Sequence, residues 1–569
     1  MRAPPLYEVL VHVSRIDPRT PGVKTRDQAR PRIAGLDGDR FRPPYDAGNI
    51  FDPHTRDWYP YLWSPDGELN PYRNLIVARV RDLVRNDGWA SAAVTRTLDN
   101  VIGADFRPVS KPDYFALKQL TGRNFDARWA EEFGKAVESH WKTWSLDGGR
   151  YCDVERCLTV PQMLGLAFRH KIVDGDALAV AHWLPERMGL GAALYATSFQ
   201  IVDPDRLSNP FWRFDSNTMR GGVEIDRFGA PVGYYIEKAH IGNWFDAKDA
   251  MTWERIPRET PWGRSIVVHD FDHERAAQHR GGAGILTSVV QRLKMLIKYD
   301  GTELDAAIIN AIFGAYVTSP YDKDMVESAL GEKDDSPLGM YQELRSDFHK
   351  ERPVKIGDVR MPLLAPGEEI ATVRSERPSS NFAAFESAVL RNVAAGCGMS
   401  AQQISQNWSE VNYSSYRAAM LEAWKTFHRR RQYFAVGFAQ QIFTNWLEEA
   451  FDSDNLPLPA GAPEFIEYRS LYARTKWLGP GKGYVDELAE KQGAILGMDA
   501  GLSTLEEEAG TLTGRDWREI LDQREIEIDE FKRRGIPMPK WTGVPQQGPP
   551  GTAPEQQTAK QQIKPPEAA

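Results

Sequence analysis

The sequence predicts an α+β protein, and three observations predict it. Several long stretches carry apolar residues at helical spacing. Between about residues 160 and 271 the texture changes to short strand-like runs broken by turns. The composition is that of an ordinary globular chain: 569 residues, 41% hydrophobic, with 17 Trp, 20 Tyr and 24 Phe to fill a core or large subunit interfaces.

Residues 1–69 are rich in Pro, Arg, Asp and Gly. Turn signals recur every few residues in "RFRPPYDAGNIFDPHTRDWYP", which reads as an extended arm. From Asn70 the pattern turns helical, with Leu75, Ile76, Arg79, Val80 and Leu83 at 3–4 spacing, and a second helix is expected from Trp89 to Val101. Another spans roughly Asp126 to Trp144. Strand-like runs follow in "DALAVAHWL", "ALYATSFQIV", "GGVEIDRFGAPVGYYI" and "SIVVHDF". After Gly284 a strut-like helix of nearly thirty residues is expected, with Ile285, Val289, Leu293, Leu296, Leu304, Ile308 and Ile312 on one stripe. Strand-like "VKIGDVRMPLLAPGEEIATVR" leads to a helix from Phe382 to about Ala395. Beyond polar "SAQQISQNWSEVN", a long helix runs from Ser414 to Ala450, its stripe (Met420, Trp424, Phe427, Phe434, Phe438, Ile442, Trp446) interrupted by Arg431. Ser503 and Glu506 fit a capping box, a charged helix covers about Asp516 to Arg534, and the Pro- and Gln-rich tail from Trp541 is expected to be disordered.

Composition excludes several functions. A net charge of −9, from 70 basic and 79 acidic side chains, argues against a protein that grips nucleic acid statically. No run approaches the ~18 apolar residues of a membrane span, and the N-terminus lacks a signal-peptide core, so a cytoplasmic origin is expected. Cys152, Cys157 and Cys397 make neither a disulfide framework nor a zinc site. There is no P-loop: "GPGKG" at 479–483 lacks its spacing and hydroxyl. There is no Gly-x-Ser-x-Gly elbow and no His-Glu-x-x-His helix. "RGGAG" at 280–284 reads as a flexible turn into the strut, and Arg429, Arg430 and Arg431 as a solvated or salt-bridged helix surface.

One stretch looks enzymatic. "HDFDHERAAQHRGG", His269 to Gly282, offers His269, Asp270, Asp272 and His273, ligand types that bind zinc or iron. In a strand, however, alternation sends His269 and Asp270 to opposite faces, so a metal site needs Asp270 and Asp272 to converge with a histidine from elsewhere. A metal-dependent hydrolase or nuclease built on His269–His273 is the alternative reading. The reading taken assigns no catalytic, cofactor or metal-binding residue.

"FQIVDPDRLSNP" and "GGVEIDRFGAPVGYYI" resemble the portal proteins of tailed bacteriophages, of the lambda family. "LVRNDGWASAAVTRTLDNVIGADFRP", "LAFRHKIVDGDALAV", "VVHDFDHERAAQHRGGAGIL", "NYSSYRAAMLEAW" and "LGMDAGLSTLEEEAGTLTGRDWREILDQ" agree in the family's order, over roughly residues 70 to 535. The resemblance implies a non-enzymatic ring, usually of twelve copies, at one capsid vertex of the virion, made in the host cytoplasm. Its implied partners are further copies of itself, double-stranded DNA in transit, the terminase large subunit, major capsid and scaffolding proteins, and head-completion or adaptor proteins, with no membrane and no cofactor. In the portal fold it implies an arm at 1–69, a mixed α/β wing at 70–284, a first stem helix at 285–313 and a clip with β-strands at 314–380. A second stem helix then falls at 381–397, a tunnel loop and long helix at 398–477, a helical crown at 478–535 and a disordered tail at 536–569. Uncharged Gln402, Gln403, Gln406 and Asn407 suit a loop that touches moving DNA, against the plain alternative of a polar helix–helix loop. Asp272, Glu274, Arg275 and Arg280 are expected to fix the wing–stem junction or contact the next subunit.

Overall fold

The computed structural model describes residues 46–537, apart from Phe51, Leu190, Ala283, 313–315, 410–411, 454–455, 484–485 and, between 319 and 381, all but three short strands. Most of the expected arm and clip and nearly all of the tail therefore lie outside the described residues. The chain divides into two units at Trp63 and Ser64. In the first, a 3-10 turn at Asp46–Gly48 precedes a turn closed by Asp52, whose carboxylate accepts from the His54 N–H at 2.8 Å.

The second unit opens on α1 (Pro65–Asn86), five residues before the expected start. Ser64 and Pro65 explain the difference: the serine hydroxyl accepts from Gly67 N–H at 3.2 Å, and proline at the first helical position gives up a donor that has no partner there anyway. Its inner face is Arg73, Val77, Val80, Leu83 and Val84, while Leu75 is exposed. Next come α2 (Gly88–Val101), capped by Asp87 on Ala90 N–H at 2.7 Å, then β1 (Arg107–Ser110), α3 (Tyr114–Thr121), α4 (Ala127–Ser145) and α5 (Val160–Asp174).

The expected strands form two antiparallel sheets. One has the order β3-β2-β8, from β2 (Asp176–Trp183), β3 (Thr197–Ile201) and β8 (Val267–Phe271), with Leu178 opposite His269. The other runs β4-β5-β6-β7, from β4 (Met219–Arg220), β5 (Val223–Ile225), β6 (Pro231–Glu237) and β7 (Trp253–Pro257). The β5–β6 turn closes on Asp226, whose carboxylate accepts from Phe228 and Ala230 N–H at 2.8 Å each.

Helix α6 (Val290–Ile312) follows a 3-10 turn at Thr287–Val289. Its stripe is buried only at first: Leu293 and Leu296 are sealed, whereas Leu304 and Ile308 are 63% and 48% exposed within the single chain. Strand β9 (Tyr316–Thr318) pairs with β12 (Glu369–Ala371), and β10 (Pro353–Ile356) with β11 (Val359–Pro362). Helix α7 (Phe382–Cys397) returns beside α6, where Tyr299 stacks on Phe382 and meets Phe385 edge-on. A short α8 (Ala401–Ser405) leads to α9 (Tyr413–Phe434), which continues through a π-helical turn, Ala435–Ala439, into α10 (Gln440–Asp452).

The main core gathers on that long helix. Phe427, Phe434, Phe438, Ile442 and Trp446 are buried as the stripe predicts, against Phe106, Trp141, Trp144, Phe168 and Trp477. After α11 (Arg469–Tyr472), β13 (Thr475–Leu478) pairs with β1, joining sequence positions more than 360 residues apart. Helices α12 (Glu487–Asp499), α13 (Leu505–Leu512) and α14 (Trp517–Arg534) complete the described chain. The capping box sits one residue on from the expected one, on Thr504 and Glu507; Glu506 instead pairs with Lys111 and Lys476.

Candidate functional site: a buried charged junction

The stretch His269–Gly282 lies where β8 passes toward α6, and His269, Asp270, His279 and Arg280 turn inward. Asp176, at the start of β2, has a side chain with no solvent exposure. Its Oδ2 takes Arg280 Nε at 2.8 Å and Arg73 Nη2 at 2.9 Å, while its Oδ1 takes Gly281 N–H at 2.5 Å and faces His269 Nε2 at 3.2 Å. Burial alone would raise this carboxyl; Arg280 and Arg73 outweigh it and hold it far below the usual carboxylate range. Arg73, itself buried and beside the like charge of Arg280, is lowered to about 10. Arg280 also donates to backbone carbonyls, Nη1 to Leu207 and Gly221 and Nη2 to Pro204. Four segments of chain are thus tied through one guanidinium.

A second cluster lies alongside. Arg81 reaches Asp174 and Asp205 at 2.7 Å each and Asp203 at 3.0 Å, and His170 Nδ1 meets Asp174 at 2.6 Å. Asp203, Asp205 and His240 bring ligand-type atoms within 4.8 Å of one another, the one such trio among the described residues. The Arg81 guanidinium already pairs with both carboxylates of that trio. A third group holds the far face of β8: Lys171 Nζ pairs with Asp270 at 2.8 Å and Asp272 at 3.0 Å. Burial pushes the Asp270 carboxyl up, partly offset by Lys171.

Alternation in β8 sends His269 to Asp176 and Asp270 to Lys171, so the ligands proposed for a metal at His269–His273 diverge. Asp270 and Asp272 do converge, but on an ammonium group. His273 stacks on the Phe271 ring with centroids 4.2 Å apart. His279, buried, donates its backbone N–H to Asp66, and its Nδ1 meets the same carboxylate at 2.7 Å. His269 and His279 each face a buried carboxylate, Asp176 and Asp66.

Glycines make the closeness possible. A Cβ on Gly281 would overlap the Gly175 carbonyl, and one on Gly284, whose φ is +64°, would overlap that of Ile172. Gly437, in the π-helical turn, lies so close to Asp270 that a Cβ would overlap its carboxylate. Arg280, Gly281 and Gly284 are therefore tightly packed at the crossing, where a flexible turn was expected.

Of the four junction residues expected from sequence, Arg280 and Asp272 hold intrachain pairs at this crossing. Arg275 Nη1 meets Glu68 at 2.7 Å on the surface, and Glu274 is exposed. Asp176, Arg73, Arg81, Lys171 and Asp66 went unread, because they stand in strand or helix patterns far away in sequence. The polar loop is equally uneven. Gln403 is buried and completes a capping box with Ser400, Gln402 is half-buried, and Gln406 and Asn407 are exposed, Gln406 ending α8 at φ +55°. Of the arginine run, Arg429 is exposed and Arg430 half-buried, but Arg431 departs from a solvated surface. Burial lowers Arg431 to about 10, and its guanidinium caps the carbonyls of Asn100, Val101 and Pro480.

Comparison with known proteins accounts for a chain whose charged groups serve architecture. Portal protein B of Escherichia phage lambda is 32% identical over 524 residues, covering 90% of this chain and 95% of that protein. The portal protein of Escherichia phage N15 is 32% identical over 523 residues, covering 90% and 96%. The neck of a native gene transfer agent particle, computed with C12 symmetry, is similar at 13% identity and a TM-score of 0.36, covering 72% of this chain and 98% of that one. A family model described as "Phage portal protein, lambda family" matches residues 51–431. The chain belongs to the lambda family of phage portal proteins, a structural family and not an enzyme family.

Proposed function

We propose that this chain forms a ring of twelve copies at one capsid vertex, through which the genome is packaged and ejected. The observation that carries the reading is the 32% identity extending over 95% of the lambda portal protein. The ring also serves as the platform for the terminase large subunit and for head-completion or adaptor proteins, and it meets the major capsid and scaffolding proteins at its rim. Double-stranded DNA passes without sequence recognition. The net charge of −9 supports this, because each phosphate neutralised by the wall would add a counterion-release term and slow the strand.

In this reading the wing covers residues 70–284, α6 and α7 are the stem, 314–380 is the clip, and 478–535 is the crown. The buried junction then fixes the wing to the stem. Gln406 and Asn407 remain the candidates for contact with moving DNA, with Gln402 beside them, since Gln403 is committed to its cap. Negative-stain imaging of the purified protein tests the proposal: rings with a central hole are expected, and a stable monomer at high concentration contradicts it.

A further inference from the structure

The loop Asn209–Asp215, sequence "NPFWRFD", leads from the three-stranded sheet to β4. Phe211 (φ +56°) and Trp212 (φ +51°) both occupy the left-handed region, where a side chain is strained and glycine is the ordinary occupant. The loop is not loosely held. Asn209 Nδ2 donates to the Arg213 carbonyl and to Asp215 Oδ1 at 2.9 and 2.8 Å. Asp215 also accepts from Gly221 N–H at 2.8 Å and Asn70 Nδ2 at 2.7 Å. Both strained rings lean on Trp253, with centroids 5.4 and 5.5 Å away.

What this rigid frame presents is apolar and outward. Phe211, Trp212 and Phe214 are 69%, 52% and 97% exposed in the single chain. Arg213 lies over the Phe211 ring, and among the described residues no carboxylate pairs with it. Exposed aromatics around an arginine, held in place at a cost in strain, have the composition of an interface hot spot.

We propose that this loop is an anchor between adjacent copies of the chain, inserting Trp212 and Phe214 into the next subunit while Arg213 meets one of its carboxylates. The inference rests on the ring reading and names one of its contacts. Charge is compatible with a second copy: the chain carries 79 acidic against 70 basic side chains, and among the described residues no carboxylate pairs with Arg213. In a closed ring each subunit also buries two different faces, and both need anchors.

The test uses the purified full-length protein. With p-benzoylphenylalanine in place of Phe214, irradiation of assembled rings is expected to link two copies covalently. A Trp212→Ala/Phe214→Ala variant is expected to need about tenfold more protein, or beyond, to assemble by half. Arg213→Glu is expected to weaken assembly more than Arg213→Lys. Equal melting curves of the dissociated variants separate lost contact from lost folding. Wild-type rings without cross-links, together with a double variant that assembles at the wild-type concentration, overturn the anchor and leave the ring reading standing. Cross-links that form only after capsid protein is added overturn it too. If the wild-type chain forms no ring, the underlying reading fails and the anchor with it.

Discussion

Asp176 is a carboxylate without solvent, held by two guanidinium groups, a backbone N–H and an imidazole. Removing one partner leaves a buried charge under-compensated, which typically costs about 3–5 kcal/mol. Arg280→Ala is therefore expected to lower stability by that amount in denaturant titrations, and ring formation with it. Acid should act on the same group. Its folded pKa is depressed, so its contribution is complete above the unfolded value of about 4 and is lost as pH falls below it. Unfolding followed by circular dichroism between pH 5 and pH 2 should show the loss, and Asp176→Asn should flatten the slope. Part of this was legible. Alternation alone separates His269 from Asp270. The hub itself was not, because "DGDALAV" reads as the start of an apolar strand, and its partners stand at positions 73 and 280.

Elements were legible where one face is apolar and blurred where pattern is degenerate. The stripe Phe427–Trp446 identified the long helix, but the π-helical turn at Ala435–Ala439 leaves no periodic mark; its Gly437 lies against Asp270 of β8. Gly437→Ala should cost about 1–3 kcal/mol by overpacking, measured by thermal unfolding. The capping box was misplaced by one because Ser503-x-x-Glu506 and Thr504-x-x-Glu507 satisfy the same rule, and Glu506 is drawn off by two lysines. Arg431 broke its stripe for a reason no helix pattern holds: it caps the C-terminal carbonyls of α2. Arg431→Met keeps the bulk but leaves those carbonyls without their donor, and a loss of about 1.5–3 kcal/mol is expected.

For the whole molecule, the C-terminal helices dock through charge. Arg518 on α14 meets Glu131 and Glu138 of α4, and Glu138 also accepts from Ser110 N–H at 2.9 Å. Burial pushes Glu138 up to about 7, offset in part by Ser110 and Arg518. Its folded pKa stands above the unfolded one, so its favourable contribution is complete below about 4.5 and disappears as pH rises through about 7. Glu138→Gln should then raise the melting temperature at pH 8 and change it little at pH 5. Function was legible at this scale from ordered motifs rather than from any site, since a conduit needs no catalytic constellation and composition could only exclude alternatives.

The Arg280 hub also bears on how the chain reaches its fold. It joins residues near positions 73, 176, 204, 207 and 221, so its closure waits until long loops have been brought together. These contacts are expected to close after the rate-limiting barrier of folding. Losing them should leave the refolding rate nearly unchanged and speed unfolding instead, a difference that stopped-flow measurements on Arg280→Ala would read directly. The crossing would then act as a latch on the lifetime of the finished subunit, with little influence on how fast it is made.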